Sequence, residues 1–202
     1  MEKAGIIKKE IPVVISERQP ETEGIFNLIA AKKHASISYA EDITIENYKT
    51  DLLGDYQIKN IKGVVSALKV LKGFKIKKRH IREVLKKMTD NTGLLGRWQV
   101  LGEHPYLVCD AAHNKEGLQL VLNQITLHKF EKLHMVLGFV NDKNLEDVLG
   151  LFPKKATYYF VTPNIPRGLA ANNLRDTAKN YGLVGEAFDS VKNGLAKALE
   201  NA

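Results

Sequence analysis

From Tyr106 onward the chain switches repeatedly between short apolar runs and longer amphipathic ones, and this alternation restricts the folds open to it. Tyr106–Cys109 reads as a strand and Lys115–His128 as a helix. Leu133–Phe139 reads as a strand, Leu145–Phe152 as a helix and Ala156–Thr162 as a strand. A helix over Ala170–Tyr181 closes at Gly182. A weak strand over Leu183–Gly185 then leads to a helix capped by Asp189 or Ser190. Strands joined by helices run parallel, and a parallel sheet needs helices over both faces. The expected fold class is α/β, with a Rossmann-like C-terminal domain built on a mainly parallel sheet.

The earlier half is less regular. Ile11–Ser16 and Ser36–Tyr39 read as strands around a helix opened by Pro20, where the missing N–H costs nothing. Ile43 and Ile45 alternate as in a strand. Ile61, Val64, Val65, Leu68 and Leu71 recur at helical spacing, so Ile58–Leu71 is expected to be a helix. A second, basic helix is expected over Ile76–Met88, and Asn91-Thr92-Gly93 is a turn. We therefore expect two domains, residues 1–92 and residues 93–202.

Composition narrows the function classes. The 44% apolar and 26% charged content is that of a folded globular chain. The net charge of +7 is spread out, and its densest run, Lys75–Arg79, reads as a solvated helix face rather than a nucleic-acid surface. No apolar run is long enough to span a membrane, and the apolar stretch after Met1 is too short for a signal peptide. A single cysteine fits a reducing compartment, so a cytoplasmic protein is expected, without nucleic acid or membrane as partner. Cys109, inside an apolar run, is expected in the core. The six histidines show no metal-ligand spacing.

The stretch that bears chemistry is Gly96-Arg97-Trp98 followed by Asp110-Ala111-Ala112-His113-Asn114. Asp110 follows a strand and Asn114 precedes a helix. Ligands of open α/β sheets bind at such carboxyl ends, and a helix N-terminus favours anions. Asp110 can accept from sugar hydroxyls, and His113 can donate to a phosphate or carboxylate or act as a base. The alternative is that Asp110 and Asn114 only cap the helix. Arg97 can clamp a phosphate, or form a surface ion pair. Asn60 is either a ligand contact or a first-turn polar residue. No Gly-x-x-x-x-Gly-Lys-Ser/Thr phosphate loop is present.

Taken in order, these stretches resemble folylpolyglutamate synthase (dihydrofolate synthase), a branch of the Mur ligase superfamily. Glu2-Lys3-Ala4-Gly5-Ile6 is similar to the family's Glu-Lys-Ala-Gly-Ile segment, and Gln57-Ile58-Lys59-Asn60 to its Gln-x-x-Asn helix start. Gly96-Arg97 is similar to its inter-domain link. Asp110–Asn114 resembles its Asp-Gly-Ala-His-Asn motif, with Ala111 in place of glycine. Gly138…Asp142-Lys143 and Thr162-Pro163…Pro166-Arg167 also look like the family. The resemblance implies an ATP-dependent ligase that activates a folate or dihydropteroate carboxylate as an acyl phosphate and joins it to L-glutamate. It implies that Asn60, Arg97 and Asp110 contact ATP and that His113 lies near the reacting groups. It also implies that Lys3 is carbamylated beside magnesium in an intact enzyme. On this resemblance residues 1–92 are the tail of the ATPase domain, and the N-terminal domain with the phosphate loop and most of the folate site is missing, as are the last strands. The chain alone is therefore expected to be inactive. The rival readings are another Mur-type ligase acting on a cell-wall precursor, and a non-catalytic nucleotide-binding or partner-binding module.

Overall fold

The computed structural model describes residues 3–141 and 144–202, so Glu2 and the Asp142-Lys143 pair lie outside the described residues. The chain divides into two compact units between Leu95 and Gly96.

In the first unit a 3-10 turn, Lys3–Ile6, precedes strand β1 (Val13–Ile15), helix α1 (Pro20–Lys32) and strand β2 (Ile37–Tyr39). The two strands pair in parallel, Val13 opposite Ile37 and Ile15 opposite Tyr39. Pro20 stands in the first turn of α1, as its fixed φ favours. Ala4, Ile7 and Ala30 are buried against Ile25, Phe26, Ile29 and Ile37. Arg18 lies 4.1 Å over the ring of Tyr39 and donates to Asp42 at 3.0 and 2.9 Å, fastening the start of α1 to the end of β2.

Helix α2 (Gln57–Val70) buries Ile61 and Val65, while Val64 and Leu71 are exposed. Its stripe is thus narrower than the spacing implies. Residues 43–50 form no strand, which corrects the reading of Ile43 and Ile45. Two alternating residues are too few to hold a strand when no neighbour pairs with them. Ile45 and Tyr48 instead pack from irregular backbone onto Ile61, Val65 and Leu85.

The basic helix expected over Ile76–Met88 is in fact two helices, α3 (Lys78–Leu85) and α4 (Met88–Thr92). Asp51 causes the break. Its carboxylate accepts from the N–H of Met88 at 3.0 Å and of Thr89 at 2.9 Å, and Leu85 O accepts from Asp51 N. In a continuous helix Thr89 N–H would have served Leu85 O. Gly93, at φ 65°, ends α4 in the left-handed conformation.

The second unit opens with an antiparallel hairpin, β3 (Gln99–Glu103) and β4 (Tyr106–Cys109). Tyr106–Cys109 is a strand as expected, but its hydrogen-bonded partner is β3 and not the parallel sheet. The Gly102–Pro105 cluster between two apolar runs was the available hairpin signal. One consequence is that Cys109 is exposed, against its expected place in the core. After α5 (Lys115–Thr126) come β5 (His134–Leu137), α6 (Glu146–Leu149), β6 (Thr157–Val161), α7 (Ala171–Lys179), β7 (Gly185–Phe188) and α8 (Val191–Glu200). The sheet order is β5-β6-β7, all parallel.

Strand β6 is central and buried on both faces. Tyr158 and Phe160 join the cluster of Leu118, Leu122, Leu149, Phe152, Leu174 and Ala178, contributed by α5, α6, α7 and their connections. The alternate residue Val161 meets α8, where a Cβ on Gly194 would stand 2.3 Å from Val161 Cγ1. Gly194 thus lets α8 sit close to the sheet.

Two outcomes follow from this packing. Leu174 is fully buried, so Leu174→Ala is expected to destabilise the second unit by about 2–5 kcal/mol in chemical denaturation, while exposed Val184→Ala stays within about 0.5 kcal/mol. For Asp51, burial pushes the carboxyl up, but hydrogen bonds from the Thr89 side chain and from the Thr89 and Met88 amides hold it below the ordinary carboxylate range. A depressed folded value means the contribution is present above the unfolded value of about 3.9 and fades as pH falls through the folded one. Denaturation midpoints of wild type and Asp51→Asn are therefore expected to converge on acidification below about pH 4, having differed at neutral pH.

Candidate functional site

The carboxyl end of β4 sets up a loop, Asp110–His113, that leads into α5. Asn114 is the helix cap: its Oδ1 accepts from Gly117 N at 3.0 Å. Asp110 is not part of this cap, which corrects the capping alternative for that residue. Its Oδ2 accepts from Trp98 N at 2.7 Å and its Oδ1 from Ala112 N at 2.9 Å. One carboxylate thus ties the Gly96–Trp98 loop to the loop before α5. A second tie runs the other way, from Ala111 N to Gly96 O at 3.0 Å. The loops approach closely because Gly96 has no side chain; a Cβ there would lie 3.2 Å from Ala111 Cβ. Gly96 also holds φ 67°, where glycine is at ease.

Arg97 is exposed, and its Nη1 donates to Gly96 O at 3.0 Å. The contact found is to backbone, not the surface ion pair. His113 is exposed too, with Nδ1 3.1 Å from Ala111 O. A carbonyl only accepts, so Nδ1 is the donor in this contact, and in the neutral ring the base is then Nε2. The second unit therefore gathers Arg97, Asp110 and His113 onto two interlocked loops: a cation, a fixed acceptor and a base at a helix N-terminus. That arrangement suits an anionic, phosphate-bearing ligand.

The other two expected site residues lie in the first unit. Asn60 is exposed in the first turns of α2, and its Nδ2 donates to Oε1 of buried Gln57 at 2.9 Å. Lys3 is exposed at the head of the 3-10 turn, whose next residue, Ala4, is buried. Among the described residues no group of His, Cys, Asp or Glu side chains could hold a metal ion. No described helix is long and apolar enough to cross a membrane.

Sequence reasoning passed over three features of the second unit. Trp98 is buried and stacks on His128 with ring centroids 5.4 Å apart, and His128 stacks on Tyr106 at 5.4 Å. Thr162 Oγ1 accepts from Ala171 N at 3.0 Å and so satisfies the start of α7 in place of a local cap. Asn141 N bonds Arg167 O and Leu169 N bonds Phe139 O, each at 2.9 Å, joining the chain beyond β5 to the chain beyond β6. The Thr162-Pro163…Pro166-Arg167 motif was the only signal for the last two; the aromatic stack had none.

The description of the Mur ligase glutamate ligase domain matches residues 96–202. The dihydrofolate synthase/folylpolyglutamate synthase of Bacillus subtilis is 25% identical over 207 residues, covering 88% of this chain and 47% of its own. The solved folylpolyglutamate synthase of Thermotoga maritima is 26% identical with a TM-score of 0.74, covering 100% of this chain and 51% of that one. The Mycobacterium tuberculosis folylpolyglutamate synthase complexed with ADP and AMPPCP matches at TM-score 0.85 over 99% of this chain and 51% of its own; at 20% identity it speaks for the fold alone. The chain spans about half the length of curated relatives such as the Bacillus subtilis protein.

The paired acceptance by Asp110 predicts a specific defect. An asparagine has one acceptor oxygen, and its amide group would point a donor at an N–H. Asp110→Asn is expected to destabilise the second unit by about 1–3 kcal/mol and to speed hydrogen exchange at Trp98 or Ala112, read by NMR.

Proposed function

Because the chain belongs to the family of the Mur ligase glutamate ligase domain, we propose that it is the C-terminal half of an ATP-dependent amide ligase of the folylpolyglutamate synthase (dihydrofolate synthase) type. In this reading the second unit is the glutamate ligase domain and the first is the tail of the ATPase domain. The substrates are a folate or dihydropteroate and L-glutamate, and the enzyme is cytoplasmic. The observation that carries the reading is the pair of interlocked loops that sets Arg97, Asp110 and His113 together at the N-terminus of α5.

The roles follow from chemistry. The folate carboxylate attacks the terminal phosphorus of ATP, and ADP departs. Negative charge on the phosphoryl oxygens is what Arg97, an exposed guanidinium, stabilises. Asp110, held by two backbone N–H groups, is in this reading the acceptor for the hydroxyls of the nucleotide sugar. The glutamate amine then attacks the acyl carbon and phosphate leaves. The attacking nitrogen sheds a proton, and the base in this reading is Nε2 of His113, whose Nδ1 is engaged by Ala111 O. Asn60 is read as a nucleotide contact on the family resemblance alone.

Magnesium fits less well. The described residues do not make a metal site by themselves. Lys3 is the one position this chain is proposed to lend to it, as a carbamate, which turns a cation that repels magnesium into an anion that holds it.

The test is an ATP-dependent assay with folate and glutamate, products identified by mass. The 202-residue chain by itself carries no phosphate loop and is expected to form no amide product. A parent enzyme containing this sequence is expected to form it, and Arg97→Ala in that parent to lower kcat/KM by roughly a hundredfold. Undiminished rates in Arg97→Ala would remove the phosphate role. Ligation to a cell-wall precursor instead of folate would transfer the protein to another branch of the family.

A further inference from the structure

Trp98 adopts a backbone conformation that a residue of its size rarely holds. Its φ is 49°, in the left-handed region, where the Cβ of any L-residue crowds the following carbonyl. Gly96, two residues earlier, is also left-handed at 67°. Arg97 is thus the single residue between two left-handed ones, and its direction depends on both.

Glycine holds its conformation without help; tryptophan must be held. Two contacts do so. Its backbone N–H is bound by Asp110 Oδ2 at 2.7 Å. Its indole, 4% exposed, stacks on His128 at 24° between ring planes, and His128 stacks in turn on Tyr106 at 27°. His128 follows the C-terminal end of α5, whereas Asp110 precedes its N-terminus. The Gly96–Trp98 loop is therefore gripped by the segments that enter and leave one helix.

We infer that Trp98 and His128 are positioning residues for Arg97: the aromatic stack keeps Trp98 left-handed, and that conformation aims the guanidinium at the phosphates. This rests on the reading of Arg97 as a phosphate ligand. Without the stack, Trp98 relaxes toward negative φ and the peptide between Arg97 and Trp98 turns with it. A phosphate bound by Arg97 then loses its partner although Arg97 is still present.

The experiment uses the full 202-residue chain with ADP as the probe, its affinity read by calorimetry. Trp98 is the only tryptophan, so its fluorescence reports this loop alone. His128→Ala is expected to weaken ADP binding about fivefold and to raise acrylamide quenching of Trp98, with an unchanged far-UV circular dichroism spectrum. His128→Phe, which keeps a stacking ring, restores both. Arg97→Ala combined with His128→Ala binds no more weakly than Arg97→Ala alone, because the two residues act through one contact. Losses that add, or a His128→Ala chain that binds ADP like wild type while Arg97→Ala does not, overturn the positioning role and leave the nucleotide reading standing. An Arg97→Ala chain that retains ADP as wild type does overturns the phosphate role of Arg97 and the positioning role together.

Discussion

Strand β6 is the element on which the second unit is organised. A parallel strand has no way to present one face to water when helices cross over on both sides, so its sequence, Thr-Tyr-Tyr-Phe-Val, carries no polar alternation. Tyr158 and Phe160 face the cluster built by α5, α6 and α7, and Val161 faces α8. Burial this complete fixes register, since a one-residue slip would exchange the two faces and could set Phe160 in place of Val161 against the narrow gap at Gly194. Once the register is fixed, the carboxyl ends of β5 and β6 are fixed too. The backbone bonds from Asn141 to Arg167 and from Leu169 to Phe139 then close that edge into a firm rim.

The hairpin follows a different principle. Among the described residues strands β3 and β4 have only each other as hydrogen-bonded neighbours, and a two-stranded ribbon is marginal in isolation. What holds it is polar as well as apolar. Asp110 accepts N–H groups from both sides of the hairpin's open end, and the Trp98–His128–Tyr106 stack joins it to the chain after α5. A carboxylate that accepts two backbone donors is better matched than any neutral side chain, because every lone pair in use meets a hydrogen. The residue proposed to meet the nucleotide is thus also one that holds the loops in place.

This double use explains which parts of the molecule were legible in the sequence. Helices and strands with a strong period stood out: α1, α5, α7 and β6 fall within a few residues of their expected spans. The mainly parallel, Rossmann-like sheet followed from their order. Elements decided by one distant side chain did not stand out. Asp51 breaks the helix expected over Ile76–Met88 from 37 residues away, and no local propensity announces it. The pairing of β4 was missed because a strand flanked by helices reads as a member of a parallel sheet until its hairpin partner is noticed. Cys109 was misplaced as a result, since a two-stranded ribbon leaves it exposed. At the site, the residue types at Arg97, Asp110 and His113 were readable. The contacts that orient them were not, because Trp98 and His128 are 30 residues apart and share no motif.

The exposed state of Arg97 has an energetic reading. Its Nη1 rests on Gly96 O, a neutral carbonyl that also accepts from Ala111 N. If the guanidinium leaves, that carbonyl keeps a partner, so no buried acceptor is stranded and the release is inexpensive. On arrival at a phosphate, the same N–H makes a charge-assisted bond, roughly twice as strong as a neutral one. The small cost of release is outweighed by the stronger bond in the proposed phosphate complex, provided the backbone of Arg97 stays where its neighbours hold it. Binding energy is then not spent on ordering the loop, because Asp110 and the aromatic stack have ordered it beforehand. Electrostatic stabilisation of a developing phosphoryl charge calls for a cation on a mount ordered beforehand, which is the role proposed for Arg97.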